Sequence, residues 1–323
     1  MAGQSTAPAG LTSAEPESRA QANGPLIPLL GAPTASGKSA AAVELAARLP
    51  LEIVTADAMQ VYRGMDVGTA KPGPDERRAV PHHLIDVVDP DEPFSVAQWV
   101  ELAHDAIASI LARGNIPLVV GGTGFYLAAL QQGMPTAPPA DPQVQEEIWA
   151  QLEEQGLDSL IEELAATSPV DAIRGERNPR RIVRAVEILR RTGKAPAELP
   201  FTTPRYPVSL AVLEPPLELL RPRIEQRCGQ MFANGLVEEV RRLLARPAPP
   251  ATALQAIGYK EVAEALRGEA TLDEAQGAVE VATVRYAKRQ LTCFRRQPAQ
   301  LRLPLLAGEA LPRLEAWLRE LAG

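Results

Sequence analysis

The sequence predicts an α/β fold: a P-loop-containing parallel sheet core with an inserted all-helical domain. Three observations predict it. First, an apolar run from Leu26 to Leu30, a Gly/Ser turn and a helical stretch from Ala40 to Leu49 make a strand–loop–helix. Second, further short apolar runs, such as Ile116 to Val120, end in Gly or Asp, as buried parallel strands do. Third, a proline-rich boundary at Met134 to Pro142 opens a stretch that is helical throughout to about Glu198, before the β-like Val208 to Leu213 returns the chain to the sheet.

The loop of the first element is Ala32-Pro33-Thr34-Ala35-Ser36-Gly37-Lys38-Ser39. It fits G-x-x-x-x-G-K-[ST], with Ala32 in the first Gly position. Such a loop aims several backbone N–H groups at one point, and the helix dipole adds partial positive charge there. A phosphate or diphosphate is the expected ligand, with Lys38 neutralising it and the Ser39 hydroxyl on Mg²⁺. Ala32 is tolerated where its φ is negative. Pro28 lies inside the first strand, where it removes a ladder donor.

Composition sets outer bounds. The chain has 323 residues, enough for one large or two modest domains. Apolar residues make up 46% and aromatic residues only 4%, so the core is mostly Leu, Val, Ile and Ala. Cys228 and Cys293 are too few for a disulfide framework, and with His82, His83 and His104 the only histidines, a structural zinc is not expected. No run of 18 apolar residues exists, and the N-terminus reads as no signal peptide, so a cytoplasmic protein without membrane contact is expected. The net charge of -7 does not favour a nucleic-acid partner, but its distribution is uneven.

In chain order, residues 1–24 have almost no large apolar residues and are expected to be a disordered tail. Residues 25–138 and 202–323 form the catalytic core, and 139–201 the helical insertion. Leu51 to Val54 reads as the second strand. Asp57 follows it, at the carboxyl end where open sheets bind ligands. From position alone Asp57 reads equally well as a turn or cap residue. His82 and His83 have no third ligand nearby and read as capping or packing. Ser95 with Gln98 is a capping box that opens a helix to Arg113. Gly121-Gly122-Thr123-Gly124 ends the next strand, as a close approach to a ligand or as a plain turn.

Helices are expected at 143–155, 157–166 and 179–192, the last opened by Asn178-Pro179. Here Arg174, Arg177, Arg180, Arg181, Arg184, Arg190, Arg191 and Lys194 stand against only Glu176 and Glu187. Arg177, Arg180, Arg181 and Arg184 share one helical side. Solvated faces usually mix signs, which favours phosphate contact. Helices are also expected at Leu217 to Phe232, Leu236 to Leu244 and Leu311 to Leu321, with an edge strand at Leu301 to Leu303. A long helix from Glu280 to Arg296 carries a second unopposed basic group, Arg285, Lys288, Arg289, Arg295 and Arg296.

Several blocks together resemble the tRNA dimethylallyltransferase family: Pro33–Ser39, Ala56–Pro72, Pro81–Asp86, Val120–Gly124, Arg180–Ala185, Gln255–Lys260 and Tyr286–Thr292. The Asp57–Pro72 stretch is the most specific of them. The resemblance implies transfer of a dimethylallyl group from its diphosphate to N6 of adenosine 37 in the anticodon loop of tRNAs, those reading codons that begin with U. It implies that the loop 32–39 holds the donor's diphosphate, that Lys38, Thr123 and Arg227 serve the leaving diphosphate, and that Asp57 is the general base. It implies Mg²⁺ as cofactor, dimethylallyl diphosphate and the tRNA anticodon stem-loop as partners, and a monomer. Such enzymes turn the base out into a pocket. The resemblance assigns tRNA contact to Asp57, Ala58, Met59, Gln60, Thr123 and Gln145, to Arg180, Arg181, Ile182, Val183 and Arg184, and to Gln255, Ala256, Ile257, Gly258, Tyr259 and Lys260. The sequence departs from the family at Ala32, usually Gly, at Gln145, where some members carry Arg, and at Cys293, often Trp. A small-molecule kinase would share the loop but need neither the basic helical segment nor the Asp57–Pro72 stretch.

Overall fold

The computed structural model describes residues 24–246 and 253–322. The tail expected over 1–24 therefore lies, but for Gly24, outside the described residues.

Six strands form one sheet: β1 (Ile27–Gly31), β2 (Leu51–Ala56), β3 (His82–His83), β4 (Ile116–Gly121), β5 (Val208–Leu213) and β6 (Leu301–Leu303). Their order is β3-β2-β4-β1-β5-β6, and every neighbouring pair is parallel. Parallel neighbours need long crossovers, and helices supply them. Alternate strand residues face opposite sides. Leu29, Val54, Val119 and Val212 pack against α3 (Val96–Ala112) and α4 (Gly124–Gln132). Leu30, Ile53, Leu118 and Leu213 pack against α1 (Lys38–Ala46) and α13 (Ala307–Ala322). A short helix, α2 (Pro74–Ala79), leads into β3.

Pro28 sits in a central strand without breaking it. The ladder from β1 to β4 begins only at Leu29, while Ile27 donates to Pro207 on the β5 side at 2.9 Å. Because N–H groups alternate between neighbours, the missing donor points to the side where pairing has not begun.

Four helices follow the boundary: α5 (Pro142–Gln155), α6 (Leu157–Thr167), α7 (Pro169–Arg174) and α8 (Pro179–Thr192). They enclose a small cluster of their own, with Ile148, Leu160, Leu164, Ile182 and Val186 buried. Asn178 caps α8 through Arg181 N–H at 3.2 Å, as its Asn-Pro start suggests. The short α7, capped by Ser168, was not expected.

Between β5 and β6 lie α9 (Leu217–Ala233), α10 (Leu236–Leu244), α11 (Tyr259–Leu266) and α12 (Leu272–Arg295). Leu220, Ile224 and Cys228 of α9 pack on Val279, Ala287 and Leu291 of α12. The last helix but one starts eight residues before the expected Glu280. Thr271 and Glu274 form a capping box there, and the Ala- and Gly-containing turn that follows carries too weak an apolar period to be read as helix.

Candidate active site

The phosphate loop links β1 to α1. Gly37 caps α1 with φ 86°, which glycine adopts without strain. Ala32 is absent from the positive-φ residues, so alanine fits where the pattern asks for glycine. Its N–H donates to Gly121 at 3.2 Å. The loop is held from three later elements. Gln290 of α12 accepts from Thr34 N–H at 2.9 Å. Arg223 of α9 donates to the Ala35 carbonyl at 2.7 Å. Ala307 N–H donates to the Ser36 carbonyl at 3.0 Å. The Ser36 hydroxyl is buried and has no partner among the described residues.

Lys38, the first residue of α1, directs its ammonium into the cavity and lies 3.4 Å from the Pro33 carbonyl. Burial and then the nearby Arg227 guanidinium push its pKa down to about 8, against the pull of Asp57. Ser39 lines the same cavity.

The opposite wall begins where β2 ends. Oδ1 of Asp57 accepts N–H bonds from Met59 at 2.8 Å and Gln60 at 3.3 Å. Its Oδ2 has no partner among the described residues, and the side chain lines the cavity. One oxygen of Asp57 thus serves the turn, and the other is left unengaged. Thr123 is tied to this turn twice. Its Oγ1 accepts from Ala58 N–H, and its N–H donates to the Ala56 carbonyl, both at 3.3 Å. The glycines make this approach possible. A Cβ on Gly121 would lie 2.0 Å from the Ala56 carbonyl oxygen, and one on Gly122 would lie 2.4 Å from Gln290 Nε2.

Arg227 of α9 and Tyr286, Arg289 and Gln290 of α12 complete the wall. Gln290 donates to the Gly122 carbonyl at 2.8 Å, so one side chain joins both ligand-facing loops. Burial lowers the Arg227 pKa, against the Asp57 carboxylate. The cavity measures about 450 Å³. Lys38, Arg180, Arg227 and Arg289 line it, and Asp57 is its one carboxylate among the described residues. Its lining therefore carries a surplus of positive charge.

The residues expected at the tRNA divide into several settings. Met59, Gln60, Gln255, Ala256 and Ile257 line the cavity, and Ala58 lies within the Asp57 turn. Lys260 of α11 is exposed over 53% of its side chain. Gly258 caps α11 with φ 93°. Tyr259 is wholly buried and donates to Glu239 at 2.6 Å. Glu239 also accepts N–H bonds from Asp66, Val67 and Gly68. Tyr259 therefore acts as a strut beneath the 65–68 turn. Ile182 and Val183 face the cluster of the helical segment. Gln145 donates to the buried Glu187 at 2.8 Å.

The basic face of the helical segment is not unopposed. Arg177 pairs with Asp158 at 2.6 Å, Arg181 with Glu176 at 2.7 Å and Arg190 with Glu163 at 2.6 Å. Arg184 and Arg191 share Glu187, at 2.7 and 3.1 Å. Arg177 also precedes α8, at φ 51°, and is not on its face. Asp158 and Glu163 come from α6, 19 and 27 residues away in sequence, whereas Glu176 and Glu187 belong to the basic stretch itself. Arg180, in contrast, has no partner among the described residues and reaches the cavity. On α12, Arg285, Lys288, Arg289, Arg295 and Arg296 form no ion pair among the described residues, as their run suggests.

His83 bonds Glu52 at 2.7 Å and His82 bonds the Val80 carbonyl at 2.8 Å, the packing role expected. Among the described residues no group of three His, Cys, Asp or Glu side chains could hold a metal, and no helix is long and apolar enough to cross a membrane.

The IPP transferase family model matches residues 60–297, and the Isopentenyl transferase model matches 26–86. The chain belongs to the IPP transferase family. A tRNA dimethylallyltransferase from Thermus thermophilus is 52% identical over 294 residues, covering 91% of this chain and 97% of that protein. One from Deinococcus radiodurans is 48% identical, covering 84% and 90%. Among solved structures, the full-length tRNA isopentenylpyrophosphate transferase of Bacillus halodurans superposes with TM-score 0.66 at 36% identity, covering 92% and 96%. A eukaryotic dimethylallyltransferase acting on tRNA gives TM-score 0.72 at 25% identity, covering 92% and 78%. The family shares the α/β core with its parallel sheet.

Proposed function

We propose that the protein transfers a dimethylallyl group from dimethylallyl diphosphate to N6 of adenosine 37 in the tRNA anticodon loop and releases diphosphate. One observation carries the reading. A single cavity sets a phosphate loop with Lys38 and Arg227 against a carboxylate, Asp57, that keeps one oxygen free.

The donor's diphosphate lies in loop 32–39. As the C1–O bond breaks, negative charge grows on the diphosphate, and Lys38, Arg227 and Thr123 stabilise it. The adenine amine is a weak nucleophile, so its placement matters as much as its basicity. The free Oδ2 of Asp57 takes the proton that N6 loses. The Asp57 turn is stitched to Thr123, which fixes base and leaving-group sites relative to each other. A Mg²⁺ ion fits here: the Ser39 hydroxyl lines the cavity without a partner among the described residues, and the remaining ligands would be diphosphate oxygens and water. When bound, Mg²⁺ neutralises charge on the diphosphate.

Residues 139–201 serve as the helical segment that grips the anticodon stem-loop, with 25–138 and 202–323 as the catalytic core. Arg180, Arg285, Lys288, Arg295 and Arg296 meet RNA phosphates. The enzyme works in the cytoplasm as a monomer.

The test is transfer of label from dimethylallyl diphosphate, with Mg²⁺, to unmodified tRNA containing adenosine 37, to free AMP and to no acceptor. Label on tRNA alone supports the reading. Label on AMP assigns the protein to free adenylate instead, and ATP hydrolysis without transfer assigns the loop to a kinase-like enzyme.

A further inference from the structure

The cations that favour the leaving diphosphate work against the other product of the same bond cleavage. When C1–O breaks, its electron pair leaves with the diphosphate, and the allyl fragment takes positive charge. N6 then forms the C1–N bond and yields its proton to Asp57. A cavity lined by Lys38, Arg180, Arg227 and Arg289 repels that fragment, and a single carboxylate opposes them. A neutral group with a negative face can stabilise it without holding the diphosphate back. Aromatic rings have such a face.

Two phenol rings line the cavity. Tyr259 is wholly buried, with its hydroxyl committed to Glu239. Tyr286 is the other. It precedes Gln290 by one helical turn on α12, on the same helix side. Gln290 touches both the phosphate loop and Gly122, so Tyr286 stands one helical turn from the side chain that clasps the phosphate loop. Its hydroxyl faces Thr123 and Gln290. The ring already holds a cation: the Arg289 guanidinium carbon lies 5.7 Å from its centroid.

We infer that Tyr286 is a further catalytic residue, whose ring face seats the allyl fragment as positive charge develops on it. Arg289 holds that face in the free enzyme, and a bound diphosphate gives it a stronger partner. The inference rests on the proposed donor.

The test uses the full chain with phenylalanine, or its mono-, di- and trifluorinated forms, incorporated at position 286, and Tyr286→Leu. Fluorination drains the ring's negative face while keeping its shape. Binding of an ammonium mimic, dimethylaminoethyl diphosphate, is compared by calorimetry with that of neutral isopentyl diphosphate. The affinity ratio should fall stepwise by about tenfold from phenylalanine to its trifluorinated form. The kcat for tRNA should fall in parallel, with KM for tRNA unchanged. Phenylalanine at position 286 is the reference for the series, and Tyr286→Leu should lose both. A flat ratio across the fluorinated series overturns the inference. A falling ratio without transfer to tRNA by the wild type supports the seat and refutes the acceptor. Absence of binding by either diphosphate refutes the donor reading and the inference together.

Discussion

Replacing Gln290 by methionine keeps the volume of the side chain and removes its polar end. Two groups lose their partners: Thr34 N–H, now 2.9 Å from Oε1, and the Gly122 carbonyl, 2.8 Å from Nε2. Gln290 is only 5% exposed. A buried polar group left without a partner costs about 1–3 kcal/mol. Gly122 is buried and takes the full penalty. Thr34 borders the cavity, where water reaches it, and takes the lower end. The sum is about 2–4 kcal/mol, or a fall in Tm of about 4–8 °C for a domain of this size. Calorimetry with and without inorganic diphosphate measures both consequences, because a loosened loop also loses part of the stabilisation that the anion gives. Gln290→Glu keeps an acceptor for Thr34 but sets an oxygen against the Gly122 carbonyl, and should do no better. A Tm within about one degree of wild type, with the diphosphate shift intact, would refute the idea that one side chain clasps the two loops.

Three further outcomes separate roles at the site. Asp57→Asn keeps an oxygen for the Met59 and Gln60 amides, so it should fold normally while kcat drops about 10²–10⁴-fold; steady-state kinetics with near-normal kcat would remove Asp57 as the base. The Lys38 ammonium is present below its pKa of about 8 and lost above it, so diphosphate affinity should weaken about tenfold from about pH 7 to about pH 9. Calorimetric titrations of Lys38→Arg should be flat over that range. Arg180→Ala should lower the slope of tRNA affinity against salt, while Arg181→Ala, which removes a residue already paired with Glu176, should change it less. Filter binding at several salt concentrations that gave equal slopes would end this distinction.

Short-range chemistry was legible in the sequence. The phosphate loop needs only a strand, two glycine-like positions and a helix within about 25 residues, and all lie in order. Asn178-Pro179 marked the start of α8 for the same reason. Asp57 was legible as a site residue only by its place after a strand. Other features depend on pairings that leave no local trace. Glu239 holds the 65–68 turn and Gln290 joins the two ligand-facing loops, yet the residues around either do not show what it binds, since their partners lie 173 and 256 residues away. Arg177 and Arg190 looked unopposed because Asp158 and Glu163 come from α6 rather than from the same stretch of chain. Tyr259 sat in a motif and was read as a contact, whereas its hydroxyl is spent on a buried carboxylate.

The separation of 256 residues between Thr34 and Gln290 also bears on how the chain is made. Synthesis at about 5–20 residues per second puts roughly 13–50 seconds between the two positions. Over that interval a nascent chain holds its phosphate loop and central strands with neither Gln290 nor Arg223 fully in place. Such long-range closure slows folding and leaves apolar strand edges exposed on the ribosome. The diphosphate site is thus among the last parts of the molecule to be completed, and a chain cut short before α12 lacks its clasp.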